Sequence, residues 1–239
     1  MKFGIITDIH NNVIALQAVM ERLDRMDCDR ILCCGDIIGI GPCPEETVQY
    51  IMRIPNLIAV RGNHEKYLLD GIPTEYPNDE DMSPGEMEHH KWEHRLLSAE
   101  SIAFLRGLPW RTDLVSDGLR ISVMHSCMNS DGCYSGAVMD PSGTDLERMF
   151  DGVESDIILY GHDHSRNIYK GDKLYINVGS LGCPSRDRNI ARAGVLTIEN
   201  GDAEIEPLDI DYDVDEVIRR IDTIKYPDAE NIKKYFYGV

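Results

Sequence analysis

The feature that most constrains this chain is a repeated form. Three times in its first 65 positions, an apolar strand-like run ends in a residue able to bind metal. Phe3-Gly4-Ile5-Ile6-Thr7 leads into Asp8-Ile9-His10, and Arg30-Ile31-Leu32-Cys33-Cys34 leads into Gly35-Asp36. Leu57-Ile58-Ala59-Val60 then leads into Arg61-Gly62-Asn63-His64-Glu65. Asp8, Asp36 and Asn63 are spaced 28 and 27 residues apart, about one βα unit each time. Between them, Asn12 to Met26 carries Val13, Leu16, Met20 and Leu23 at helical spacing. Pro44 opens a second helix, running to about Arg53. A β-α-β-α-β run implies parallel strands with right-handed crossovers. Residues just past the carboxyl ends of such strands meet in one crevice. Asp8, His10, Asp36, Asn63 and His64 are therefore expected together.

The second half repeats this kind of ending. Strands are read at 110–115, 119–125, 156–160, 173–178, 193–199 and 203–210, with turns such as Gly171-Asp172 and Asn200-Gly201. One ends at His125, one runs into Gly161-His162-Asp163-His164, and one into Gly179-Ser180. Five of the eight histidines thus fall at strand ends. A single histidine is ordinarily a satisfied core or surface residue, but this ordered series favours metal. In an extended segment, His162 and His164 project to one side and suit metal. Asp163 would then point the other way, to a supporting or solvent-facing position.

Composition bounds the rest. With 239 residues, 42% of them hydrophobic, the economical reading is one α/β domain over 1–239, with two packed sheets and helices outside. A loop and helical insert spans 71–109, and two helices close the chain within 212–239. The seven cysteines include no C-x-x-C, which suggests a reducing, cytoplasmic setting, with Cys33 and Cys34 as small core residues. No apolar run approaches the length of a membrane span. A net charge of −18 leaves no basic stripe for an extended nucleic-acid surface. The acidic stretch 74–90 reads as a solvated loop.

Taken in order, D-x-H (Asp8 to His10), G-D-x-x-G (Gly35 to Gly39), G-N-H-E (Gly62 to Glu65), a lone His125 and G-H-x-H (Gly161 to His164) resemble the calcineurin-like metallophosphoesterase superfamily. The run NVGSLGCPSR at 177–186 is similar to its small YfcE-like branch. The resemblance implies a four-layer α/β/β/α sandwich with two metals between the ends of the sheets. By position, it implies Asp8, His10 and His164 on one metal, Asn63, His125 and His162 on the other, and Asp36 bridging. His64 would be the catalytic histidine. Carboxylate, amide and imidazole ligands without thiolate suit Mn, Fe, Zn, Ni or Co. Two such ions can share a hydroxide for in-line attack and leave the site about +1, which draws phosphate into an acidic protein.

The serine/threonine protein phosphatases of that superfamily carry arginine soon after the bridging aspartate. Here the run is GDIIGIGP, without arginine, which counts against that role. Arg61, Ser180 and Arg186 are candidates for substrate phosphate, a surface salt bridge being the plainer reading of either arginine. The expected substrate is a small phosphodiester or phosphoanhydride, such as a dinucleoside polyphosphate. Phosphomonoester hydrolysis and a non-catalytic metal-binding scaffold are the alternatives. His89, His90 and His94, with Trp92, share one expected helix that could wall the pocket, and His90 and His94 at i, i+4 have a zinc-binding spacing. Without a carboxylate or third ligand at matching spacing, ordinary helix residues are the favoured reading. Oligomeric state stays open.

Overall fold

The strand endings align because the strands pair in step. In the computed structural model, which describes residues 1–78, 80, 82–127, 137–183, 189–224 and 226–239, β1 (Lys2–Ile6), β2 (Arg30–Cys33) and β3 (Leu57–Ala59) are parallel. Ile6 sits beside Cys33, and Cys33 beside Ala59, so the three strands stop on one row. The crossovers are α1 (Val13–Arg25) and α2 (Pro44–Ile51). Asn12 caps α1 by accepting from Ala15 N at 3.0 Å. Pro44 occupies the first turn of α2, where its missing N–H has no partner to lose.

After β3 come α3 (Asn63–Asp70), α4 (Pro84–His94) and α5 (Ala99–Gly107). Then follow β4 (Arg111–Ser116), β5 (Leu119–Met124), α6 (Gly143–Met149), β6 (Ile157–Leu159), β7 (Arg166–Lys170) and β8 (Leu174–Val178). The chain continues through β9 (Ile190–Glu199), β10 (Asp202–Asp211), α7 (Val214–Thr223) and α8 (Ala229–Ile232), which runs into a π-helical turn over Lys233–Tyr237. The sheets have orders β10-β9-β1-β2-β3 and β4-β5-β6-β8-β7. In the second sheet β5, β6 and β8 are parallel, with Val123, Leu159 and Ile176 on one row.

Side-chain alternation makes the layers. Phe3, Ile5, Leu32 and Cys34 face Val123, Leu159, Ile176 and Val178 between the sheets. Ile6 and Cys33 point the other way, into a core with Leu16 and Leu23 of α1, Val48 of α2, Leu105 of α5 and Val217 of α7. Leu146 of α6 and Phe150 cover the outer face of the second sheet at Ile158, Tyr160 and Tyr175. The result is the expected α/β/β/α sandwich. Cys33 and Cys34 lie in different cores, as their alternation required. Among the described residues, no helix is long and apolar enough to cross a membrane.

Four elements differ from expectation, one of them α3, which follows β3 where the sequence reading assigned no helix. α4 begins at Pro84, inside the stretch read as loop, because Ser83 caps it by accepting from Glu86 N at 3.2 Å. The local signal was present, but the acidic composition around it hid the signal. α6 has seven residues, too few for a periodic pattern, and is set by a Ser142–Asp145 capping box. β7 is a polar edge strand whose only paired neighbour among the described residues is β8.

Candidate metal centre and active site

Just past the strand ends the backbone turns sharply left-handed. Positive φ occurs at Asp8 (52°), His10 (48°), Asp36 (51°), His162 (82°) and His164 (58°). Each such residue costs on the order of 1 kcal/mol or more, and strain of this kind concentrates at functional sites. His162 and His164 therefore come from a tight turn rather than an extended segment. Asp163 is not solvent-facing: it is buried, accepting from Asn177 Nδ2 at 2.6 Å and Ser165 N at 3.2 Å. Burial, then the charge of Asp8, raises its pKa to about 7.

The turns gather the expected side chains into two adjoining knots. In the first, His10 Nε2 lies 2.8 Å from His164 Nε2, and Asp8 Oδ1 lies 3.8 Å and 3.6 Å from these two nitrogens. In the second, Asn63 Oδ1 lies 3.1 Å from His125 Nε2 and 3.0 Å from His162 Nδ1. Asp36 stands between them, its Oδ2 3.1 Å from His125 Nε2 and 3.9 Å from His10 Nε2. One knot draws on the first sheet and the G-H-x-H turn. The other draws on residues that follow β3, β5 and β6.

The donor chemistry fits divalent ions. The other ring nitrogen of His10 faces the carbonyl of Ile38 at 3.1 Å, and that of His125 faces Cys34 O at 2.8 Å. Each carbonyl fixes Nδ1 as the N–H and turns Nε2 toward the acidic cluster. Burial, then the neighbouring His164, lowers His10 to about 4, so its Nε2 offers a lone pair. Burial would lower His125 too, but the charge and hydrogen bond of Asp36 outweigh it and raise His125 to about 9. A proton held there is one a cation would displace. Groups able to hold a metal within 4.8 Å include Asp8 with His10 and His164, and Asp8 with Asp36 and His125.

Residues named in the sequence reading only as part of a motif hold these turns. Glu65 accepts from the backbone N–H of Asp36 (3.1 Å), Ile37 (2.9 Å), Ile38 (3.1 Å) and Gly62 (2.6 Å). Its sequence signal was its place in G-N-H-E, three residues after the helix-start Gly62. Gly62 is required for space, since a Cβ there would overlap Asp36 Oδ1. His64 N donates to Asp36 Oδ1 at 3.0 Å, and its Nε2 lies 3.9 Å from Asp36 Oδ2.

Both knots open onto a cavity of about 630 Å³. Asp36, Asn63, His64, His162 and His164 form its floor, and Ile40, Met139, Ile232, Tyr235 and Phe236 supply apolar wall. His89 and His90 of α4 also line it. Arg61 and Ser180 are directed elsewhere. Arg61 donates from Nε to Leu108 O and from Nη2 to Arg106 O, both at 2.7 Å, and stacks over Trp110. Ser180 Oγ donates to Asp8 O at 2.9 Å and accepts from Cys183 N, steadying the turn after β1. Arg186 lies outside the described residues.

Two mixed sheets between helical layers, with an aspartate–histidine cluster at their shared edge, define a metallophosphoesterase, and hence a phosphoric ester hydrolase. Residues 1–201 match the family model of the calcineurin-like phosphoesterase superfamily domain, and the chain belongs to that superfamily. The Methanocaldococcus jannaschii protein MJ0912, itself uncharacterized, is 27% identical over 241 aligned positions, covering 94% of this chain and 93% of that protein. A metallophosphoesterase from Sphaerobacter thermophilus is 21% identical with a TM-score of 0.75, covering 100% of this chain and 99% of that one. The hypothetical protein PH1004 from Pyrococcus horikoshii OT3 is 18% identical with a TM-score of 0.83, covering 100% and 98%. At these identities the two solved structures show a shared fold.

Proposed function

We propose that this chain is a binuclear phosphoesterase that cleaves phosphodiester or phosphoanhydride bonds in small, nucleotide-type substrates. The observation that carries this reading is the juxtaposition of two donor knots, sharing Asp36, with a cavity that has an apolar wall. Asp8, His10 and His164 would hold one divalent transition ion, and Asn63, His125 and His162 the other, with Asp36 shared. When bound, the pair supplies Lewis acidity and a nucleophile usable at neutral pH for in-line displacement.

The remaining work falls to the chain. His64 stands beside the shared aspartate, where its ring can protonate or hydrogen-bond the departing oxygen. Asp8 and Asp36 hold their charge in place through the N–H groups of His162 and His64. The wall at Ile40, Met139 and Phe236 accepts the organic half of an ester, which inorganic phosphate lacks. In this reading the whole chain works as one unit, with the 71–109 insert and the 212–239 helices completing the pocket. A reducing, cytoplasmic setting agrees with cysteines that are mostly buried and, among the described residues, form no disulfide.

The test is turnover by chelated protein reloaded separately with Mn, Fe, Zn, Ni and Mg. The substrates are bis(p-nitrophenyl) phosphate and p-nitrophenyl phosphate. Metal-dependent cleavage preferring the diester is expected, with His64→Ala lowering kcat by about 10²–10⁴-fold, the usual range for a lost general acid. Preference for the monoester, or turnover indifferent to metal, would overturn the reading.

A further inference from the structure

Beside His64 the cavity holds a second buried imidazole that no strand-end motif supplies. His90, on α4, is fully buried and lines the cavity with His64, its ring centroid 5.1 Å from that of His64 and 5.3 Å from Tyr67. Its Nδ1 is 2.7 Å from Glu93 Oε1. Glu93 is equally buried, and its Oε2 accepts from Asn11 Nδ2 at 2.6 Å and Gly39 N at 2.9 Å. The carboxylate is therefore tied to the turns after β1 and β2, and it holds the His90 ring in register with them. The opposite nitrogen, His90 Nε2, is buried with no hydrogen-bond partner among the described residues. A buried, unpartnered nitrogen on a cavity wall is costly unless a ligand completes it.

We propose that His90, clamped by Glu93, is a substrate-contacting residue whose Nε2–H donates to a phosphoryl oxygen of the bound ester beside His64. The proposal rests on the phosphoesterase reading of the same site. It places a cation near the phosphate in a chain that has no arginine in the run GDIIGIGP after the shared aspartate. An imidazolium carries a proton on both nitrogens, so with Nδ1–H given to the Glu93 carboxylate, Nε2–H is the donor that faces a ligand. Burial alone would lower the His90 pKa, but the hydrogen bond and charge of Glu93 outweigh it and hold it above its ordinary value. One ligand-type atom from each of His64, His90 and Glu93 also falls within 4.8 Å of the others, so a lone cation is the competing occupant.

The experiment compares Mn-reloaded wild type with His90→Gln and His90→Ala, the glutamine variant guarding against a folding defect in the other. Three quantities are read: bound metal per chain, affinity for inorganic phosphate by calorimetry, and KM and kcat for bis(p-nitrophenyl) phosphate. Both variants are expected to weaken phosphate at least tenfold and to raise KM, with metal content unchanged. Phosphate affinity within twofold of wild type in both variants would overturn the proposal. So would loss of a metal ion in step with the substitution, which would make His90 a ligand. If wild type cleaves neither ester while phosphate binding still depends on His90, the esterase reading fails and the anion contact stands. If wild type cleaves the diester and both variants match it, the contact fails alone.

Discussion

At the scale of single residues, the site depends on side chains that are missing as much as on those present. Gly39 is the clearest case. A Cβ there would overlap Nδ1 of His64, and the backbone φ of 93° is one that other residues rarely adopt. The ring of the proposed catalytic histidine thus occupies space that the glycine leaves. Gly39→Ala is expected to push that ring aside while both metal knots remain. A displacement of about 1 Å is enough to lower kcat on the order of 10²-fold. Wild-type kcat with a displaced Tm would refute this, and unchanged metal content by elemental analysis is part of the expected result. Asp163 is a residue for which sequence left a supporting and a solvent-facing position open, and it takes the supporting one, buried against Asn177 within the G-H-x-H turn.

At the scale of elements, α4 changes most between sequence and structure. Its histidines looked like ordinary helix residues because the carboxylate that organises them, Glu93, has no meaning until the helix is docked. Once docked, Glu93 meets His90 three residues earlier on its own helix and Asn11 and Gly39 on the turns below. Burial would raise the Glu93 pKa, but the His90 hydrogen bond and the neighbouring imidazoles hold it well below its ordinary value of 4.5. A depressed carboxylate stabilises the fold above its unfolded pKa and loses that contribution as pH falls. A raised histidine does so below its unfolded value, here 6.5, and loses it as pH rises. The pair therefore contributes fully between about pH 4.5 and 6.5. The stability difference between wild type and His90→Gln, from urea midpoints, should peak in that window and shrink on both sides. A difference flat in pH would show the pair to be uncharged.

At the scale of the whole molecule, the two knots lie where the two sheets meet, beside the apolar core between them and hydrogen bonds such as that from His125 Nδ1 to Cys34 O. Asp8, His10, Asp36 and Asn63 follow strands of one sheet, and His125, His162 and His164 follow strands of the other. Ions bound only by the folded chain stabilise it by about 3–4 kcal/mol at 100–1,000 times their Kd. For a chain of this size, that corresponds to a rise in Tm of about 6–16 °C. Chelation should lower Tm by this amount, reversed by Mn or Zn, and Asp36→Asn should abolish most of the response. An unchanged Tm on chelation would mean that the knots do not bind metal across the sheets.

What the sequence determined by itself is everything that depends on period. Strand and crossover lengths put Asp8, Asp36 and Asn63 just past the ends of three adjacent strands, and alternation sent Cys33 and Cys34 into separate cores. The ordered histidines then pointed to the superfamily to which the chain belongs. The tertiary structure alone decided the groups whose partners are remote. Glu65 gathers four backbone N–H groups, three of them within the turn after β2. Arg61 is spent on carbonyls at the end of α5, and His90 reaches the cavity through a carboxylate seated on two other turns. Such contacts carry no period. They arise when elements distant in sequence are packed at hydrogen-bond distance, so their chemistry is set by docking rather than by local pattern.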